Sequence, residues 1–472
     1  MTTNRFTIYV LTGLLALTAT AGSGCKKYLE VDLPKTEVLT SSVFSNDDAA
    51  KLAIAGLYLG MKNTFLYNTT RYAAFSADEL TYYISYVTYD PMVADKVDVA
   101  NVGTQELWDN FYSTIYNANA IIENAEASTG LTTAYKTQII GEAKFFRAFS
   151  HFYLVNLFGK VPLITTTDVT KTMYAPRTPV DSVYAQIKAD LTDAMNTLPA
   201  DYAIAAGERI RANKWAAVAL LARVYLYTKD WANAEAMSAA VMSNSNYTLQ
   251  TAANINNVFK KNNTESILQW QRSQGNTTEA LLYLNTYTFN GYFDHRMQPG
   301  LVSSFETGDL RKANWMLTAT YSNTGGSGTF STPYKYKRAS ATPNDENYVF
   351  LRLGEQYLIR AEARAQLNNT SGAQADINAI RNRAGLANTT ANNKASLLAA
   401  IEQERRVEFF CEWGHRWFDL KRWPSLVSPA TKTRADDVLG ALKTTWTSTA
   451  VFFPIPATAI TTNPYLEQNS GY

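Results

Sequence analysis

Residues 404–423 read ERRVEFFCEWGHRWFDLKRW, a stretch in which alternating charge and large aromatic rings leave few structural options. Placed on a helix, Val407, Phe410, Cys411, Gly414, Trp417 and Phe418 recur at spacings of three and four and form one apolar stripe. Glu402 and Arg406, Glu412 and Arg416, and His415 and Asp419 stand at i,i+4, whereas Glu404, Glu408 and Glu412 share a row and repel. Such a row is tolerable only when Arg405, Arg406 and residues from other helices neutralise it. The stretch is therefore expected to be a helix buried by its neighbours, with its ions paired.

Glu412-x-x-His415 has the Glu-x-x-His spacing of di-iron carboxylate bundles, which need two such motifs and further glutamates. The chain has three histidines, and His151 and His295 lack a Glu three residues earlier, so the motif is read as architecture and no metal site is assigned. Nothing calls for a cofactor, and a structural calcium ion stays open.

A net charge of +2 without a long basic run gives no reason to expect a nucleic-acid surface. Residues 1–24 read as a signal peptide: Arg5 supplies a short positive region, Ile8 to Leu17 an apolar core, and small residues lead to Cys25. That apolar run is too short for a permanent membrane helix. Gly24 before Cys25 suits lipoprotein processing with Cys25 acylated, although Gly22 stands where leucine is usual, and cleavage after Ala21 is the alternative. With Cys25 lipidated, Cys411 has no disulfide partner and reads as a small buried hydrophobe.

Helical patterns cover 47–61, 105–127, 132–158, 179–198, 211–228 and 231–243, separated by Gly, Pro and Asn/Asp/Thr clusters. Residues 64–103 read as irregular and rich in tyrosine. Leu221, Ala222, Tyr225 and Ala234 fit tetratricopeptide offsets, and Ala361 and Ala373 repeat the spacing of 12 between Ala222 and Ala234. Small residues there let paired helices approach closely. The fold class is therefore mainly α, a tetratricopeptide-like superhelix of helical hairpins interrupted by a loop-rich region with short strands. That interruption is 244–347, where SILQWQR, LLYLNTYTF and YKYKR alternate like strands around a flexible TGGSG loop at 324–328. Residues 446–455 are expected to be extended. The divisions are then 1–24, 25–243, 244–347 and 348–472.

Four regions together resemble the SusD/RagB family of outer-membrane nutrient-binding lipoproteins. They are CKKYLEVDLPKTEV from Cys25, the hairpin from Leu351 to Leu386, the ERR-x-E…RW-x-DL-x-RW stretch, and the tail FFPIPATAITTNPYLEQNSGY. The resemblance implies a non-catalytic, lipid-anchored protein exposed on the outer membrane. It would bind an oligosaccharide and pass it to a SusC-like TonB-dependent transporter; a peptide ligand, as in RagB-like relatives, is the alternative. A glycoside hydrolase using Asp78 and Glu79 is a weaker rival, because adjacent carboxylates point different ways. A helical-repeat scaffold binding only protein is weaker still, because it leaves the export signal and the extra aromatic loops unexplained.

In that family the ligand site is built by loops outside the repeats, and this chain carries two aromatic clusters there. One runs from Phe65 to Tyr89, the other from Trp270 through Tyr283, Tyr287, Phe289, Tyr292 and Phe293 to Trp315 and Tyr321. A sugar presents an apolar C–H face to a ring and hydroxyls to planar polar groups. The expected ligand residues are Arg71, Asp78, Tyr82, Tyr83, Tyr86, Asn290, Tyr292 and Trp315, with Arg296 nearby. Acylation of Cys25 makes one prediction: the wild-type protein should partition into detergent, and Cys25→Ala should release it, as phase separation and cell fractionation will show. Stable retention takes more than one acyl chain. A wild-type protein free in the periplasm with Gly22 at its N-terminus contradicts acylation.

Overall fold

The computed structural model describes residues 40–61, 64–83, 85–271, 278–284, 294–323, 326–340 and 342–472. Cys25, Asn290 and Tyr292 lie outside them. The chain divides into two compact units, 1–43 and 44–472. In the first, the described element is the one-turn helix Thr40–Val43. The second carries all the elements that follow.

Several of its helices begin where side chains satisfy the free amides of a first turn. Asn46 caps α1 (Asp47–Gly60), Asn101 caps α3 (Val102–Ala127) and Thr132 caps α4 (Thr133–Phe158). Helix α2 (Thr64–Ser76) stands between the first two, and α5 (Val180–Thr197) follows α4. α4 packs against both α3 and α5 and buries Phe145, Phe146, Phe149, Phe152 and Tyr153. A helix apolar around its circumference belongs in the interior.

Two helical hairpins form the repeat core. The first is α6 (Lys214–Tyr227) with α7 (Trp231–Met242); the second is α8 (Leu353–Gln366) with α9 (Thr370–Arg383). They are far apart in sequence, yet α7 packs on α8, and Ala222, Leu226, Ala234, Ile359 and Ala363 form one cluster. Ala361 and Ala373 sit with Ile377, Leu397 and Ile401 in the next cluster, reaching α10 (Lys394–Glu408). The small residues thus occupy the crossings that the spacing predicts.

Several local readings need correction. Thr64–Ser76 is a helix rather than irregular chain, and Tyr67 to Ser76 are buried throughout. Burial on every side erases the 3.6-residue pattern and overrides the modest propensities of its Asn, Thr and Tyr residues. Within TGGSG, Gly326 to Gly328 are strand rather than loop, pairing with Asn323 to Tyr321 across β4 (Met316–Asn323) and β5 (Gly326–Pro333); Thr324 and Gly325 lie outside the described residues. Of the three strand-like motifs, SILQW forms β2 (Ser266–Trp270), antiparallel to β6 (Tyr348–Arg352). Leu281 to Tyr283 end a short helix, Thr278–Tyr283, and the YKYKR segment is not a strand. Residues 446–455, expected to be extended, carry the 3-10 turn Ser448–Val451.

The 404–423 stretch, expected to be one helix, is broken. α10 stops at Glu408, and α11 (His415–Arg422) restarts after a turn in which Cys411, Trp413 and Gly414 take positive φ of 50°, 51° and 75°. For non-glycine residues that conformation costs about 1–2 kcal/mol each. The turn drives Trp413 into a cage with ring centroids 4.7 Å from Phe350 and 4.9 Å from Tyr348, its Nε1 donating to the Val349 carbonyl at 2.7 Å. At Gly414 an added Cβ would lie 2.9 Å from the Ala73 Cβ, so a side chain there collides with α2.

The break also replaces the expected i,i+4 ion pairs. Glu402 accepts from Arg434 (3.1 Å) and Arg416 (3.3 Å), and Asp419 from Arg405 (2.6 Å) and Arg422 (2.8 Å). Glu412 takes Lys335 (2.5 Å) and Arg352 (2.9 Å), which together with burial leaves the Glu-x-x-His motif as scaffold. Glu408 receives Arg352 (2.5 Å), Arg311 (3.0 Å) and Arg383. Burial alone would raise its carboxyl pKa; the three guanidiniums hold it well below the usual range. Removing one partner of such a network leaves a buried charge uncompensated. Glu408→Gln should therefore lower unfolding stability by ~3–5 kcal/mol, read by denaturant titration, and an unchanged midpoint would contradict this role.

Candidate ligand-binding surface

The two aromatic stretches, about 200 residues apart in the chain, meet through one short antiparallel pair. β1 (Leu80–Tyr82) pairs with β3 (His295–Met297), setting Leu80 opposite Met297, Thr81 opposite Arg296 and Tyr82 opposite His295. β3 also packs on β5, which brings Phe330 to the same place. The Arg296 guanidinium lies 4.4 Å from the Tyr83 ring centroid and 3.5 Å from that of Phe330. Tyr83 is 42% exposed, so an aromatic side chain beside a fixed cation reaches solvent in part.

Beside this sandwich, Tyr82, Tyr86 and Tyr89 form a tight group with ring centroids 4.9–6.2 Å apart. Asp90 organises it by accepting from the Tyr82 and Ser85 hydroxyls and, at 3.2 Å, from the Tyr86 amide. Burial and the nearby Asp294 charge push the Tyr86 phenol up, so it remains a neutral hydrogen-bonding group. Beneath lies Phe75, stacked on His295 at 5.7 Å. Burial, with Arg71 adding to it, lowers the His295 pKa to about 3, and its neutral ring lies 3.2 Å from the Tyr67 hydroxyl.

The expected site residues thus divide. Tyr82 and Tyr86 group with Tyr89, and the neighbouring Tyr83 meets Arg296 and Phe330. Arg71 is buried, its guanidinium 4.5–5.1 Å from the Tyr67, Tyr72 and Tyr89 rings and donating to Asn68 at 2.5 Å, so it supports the tyrosines from below. Asp78 is a correction: it is buried and clamped by Arg416 and Arg406, both at 2.7 Å, which overcome burial and hold its carboxyl below the usual range. Trp315 is another, fully buried with Nε1 donating to the Ile255 carbonyl at 3.3 Å. Trp270 and Tyr283 are also core residues. Asn290 and Tyr292 lie outside the described residues. Sequence reasoning missed Asp90, Asp294 and Phe330. Alternation in the segment 329–333 could have marked Phe330 as a strand residue, whereas nothing local marks the two aspartates.

Glu79, the other carboxylate raised for a hydrolase, is also buried and accepts from the Cys411 amide at 3.1 Å. Its own carbonyl accepts from Gln298 N–H at 2.8 Å, just beyond the β1–β3 pair. Burial first, and the Asp78 charge second, raise its carboxyl from 4.5 to about 8. A carboxyl raised on folding contributes stability that is present below pH 4.5 and lost as pH climbs to about 8. Glu79→Gln should accordingly gain stability relative to wild type across pH 5–8, by a few kcal/mol at the upper end, with the difference levelling off above. Thermal unfolding at a series of pH values checks this; parallel wild-type and variant curves would refute it.

Helical hairpins carrying a rigid, ring-lined surface on inserted strands define a repeat-built binding fold, and comparison with known proteins specifies it. Residues 318–472 match the SusD family, and residues 27–226 match the family described as "Starch-binding associating with outer membrane". SusD-like protein P25 of Formosa agariphila is 25% identical over 529 aligned positions, covering 95% of this chain and 96% of the relative. A SusD-like protein of Bacteroides ovatus is 28% identical over 465 positions, covering 87% and 82%. Among solved structures, a SusD superfamily protein of Bacteroides thetaiotaomicron shares the fold with a TM-score of 0.76 at 22% identity, covering 90% and 99%. A "Laminarin binding SusD-like protein" does so with a TM-score of 0.74 at 23% identity, covering 90% and 100%. The chain belongs to the SusD/RagB family.

Proposed function

We propose that this protein is a non-catalytic oligosaccharide-binding lipoprotein, anchored through Cys25 at the outer-membrane surface, that hands its ligand to a SusC-like TonB-dependent transporter. The observation that carries the reading is the partly exposed Tyr83 ring held against Arg296 and Phe330, next in the chain to the Tyr82, Tyr86 and Tyr89 group. An exposed ring offers the C–H face of a sugar a platform, and the neighbouring phenols supply hydrogen bonds to its hydroxyls. The family description and the laminarin-binding neighbour support a neutral glucan as the ligand class. Asp78 and Glu79, the carboxylates a hydrolase would have used, are buried in the scaffold. Binding and release are therefore the proposed work of this face, with no bond made or broken.

Tyr83→Ala should weaken binding of the glucan that the wild-type protein retains by roughly ten- to a hundred-fold, about 1–3 kcal/mol, in calorimetry after a glycan-array screen. Tyr83→Phe should bind nearly as well, because the ring rather than the hydroxyl carries the contact. Wild-type affinity in Tyr83→Ala relocates the site. Shortened glucan after long incubation with pure protein overturns the non-catalytic reading.

A further inference from the structure

A second cleft, of about 530 Å³, opens between α3 and the C-terminal tail. Gln105, Trp108, Asp109 and Tyr112 project from one face of α3 at i, i+3, i+4 and i+7 and form one wall. Tyr116, one turn further along that face, is 56% exposed. The Tyr112 hydroxyl donates to the Pro162 carbonyl at 2.9 Å, which fixes its ring, and the Trp108 ring stands 4.9 Å from it.

The opposite wall includes Thr172 and Asn463, and two residues along the chain from each stands an exposed tyrosine outside the lining. Tyr174 and Tyr465 are 50% and 63% exposed, with ring centroids 6.1 Å apart. Asn463 holds both segments: its side-chain amide donates to the Ala175 carbonyl at 2.9 Å, and its side-chain oxygen accepts from the Tyr465 amide at 3.0 Å. Two large rings left in water yet held in place by a shared buried amide are organised for contact. A preorganised platform spares a ligand the entropy of ordering it.

The chemistry of the walls narrows the occupant. The described lining residues supply carboxamides, hydroxyls, one carboxylate and aromatic carbon, with no Lys or Arg. That set suits a ligand with many hydroxyls and no charge, and offers no cation to a phosphate, sulfate or uronate. The volume lies within the range of small-molecule sites. We infer that this cleft, with Tyr174 and Tyr465 at its rim, is a second binding site for a neutral oligosaccharide, separate from the Tyr83 face. The inference rests on the reading of the chain as a glycan binder and adds a second point of attachment, through which one long chain could engage the protein twice.

Isothermal titration with maltohexaose and with laminarihexaose tests it, using wild type, Tyr83→Ala and the double variant Tyr174→Ala/Tyr465→Ala. The altered residues are surface-exposed, and unchanged melting temperatures will verify folding. The expected result is close to two sites per chain for the glucan that binds, with each variant losing one and keeping the other. Affinity at the altered site should fall at least ten-fold. A single site abolished by Tyr83→Ala and untouched by the double variant overturns the second site and leaves the first. No binding of either glucan by the wild-type protein overturns both. A double variant that binds glucan normally but loses a co-purifying outer-membrane barrel shows the tyrosine pair to be a protein contact and also overturns the inference.

Discussion

A carboxylate that receives three buried guanidiniums constrains everything around it. Glu408 gathers Arg311, Arg352 and Arg383, which come from the inserted region, the end of β6 and the end of α9. Each charge is tolerable in the interior only while the others are in place, because desolvating an unmatched ion costs several kcal/mol. Shared partners extend the demand outward: Arg311 also serves Glu404 and Asp309, Arg383 serves Glu265, and Arg352 serves Glu412. Segments distant in the chain are thereby held in one mutual geometry.

The proposed ligand surface inherits its position from the same logic. Arg406 on α10 and Arg416 on α11 clamp Asp78, two residues before β1, and the Cys411 amide in the turn between those helices holds Glu79. β1 therefore starts from a point fixed by the charged stretch, and its pairing with β3 carries Tyr82, Tyr83 and Arg296 into place. Asp78, expected to touch ligand, instead fixes the start of the strand that carries the tyrosines proposed to do so. Arg71 works in the same way, holding Tyr67, Tyr72 and Tyr89 from beneath. Rings supported by packed ions and other rings have little freedom left to lose on binding, which favours a weak-contact ligand such as a sugar.

Much of the architecture was legible in the chain itself. Helix positions followed from periodicity and cap residues, and the crossings at Ala222, Ala234, Ala361 and Ala373 followed from spacing, because only small side chains permit that approach. Family membership was legible in the charged stretch and in the tail, where Asn463 and Asn469 now have visible duties, Asn469 donating to the Phe158 and Phe453 carbonyls at 2.9 and 2.8 Å. That 404–423 would be buried with its ions paired was also readable from its density of rings and charges.

The choice of partners was not. Ion pairs at i,i+4 are local, and they lost to arginines arriving from other elements once the left-handed turn at Cys411 and Trp413 rotated α11 away from α10. α2 escaped notice because full burial removes the amphipathic signal. Tyr83 and Trp315 look alike in the sequence, yet one is 42% exposed and the other 0%. Local sequence determined most of the helical segments and the small residues that could pack closely. Exposure, ion partners and the meeting of the two aromatic stretches depend on contacts between residues hundreds of positions apart, and the tertiary structure alone decided those.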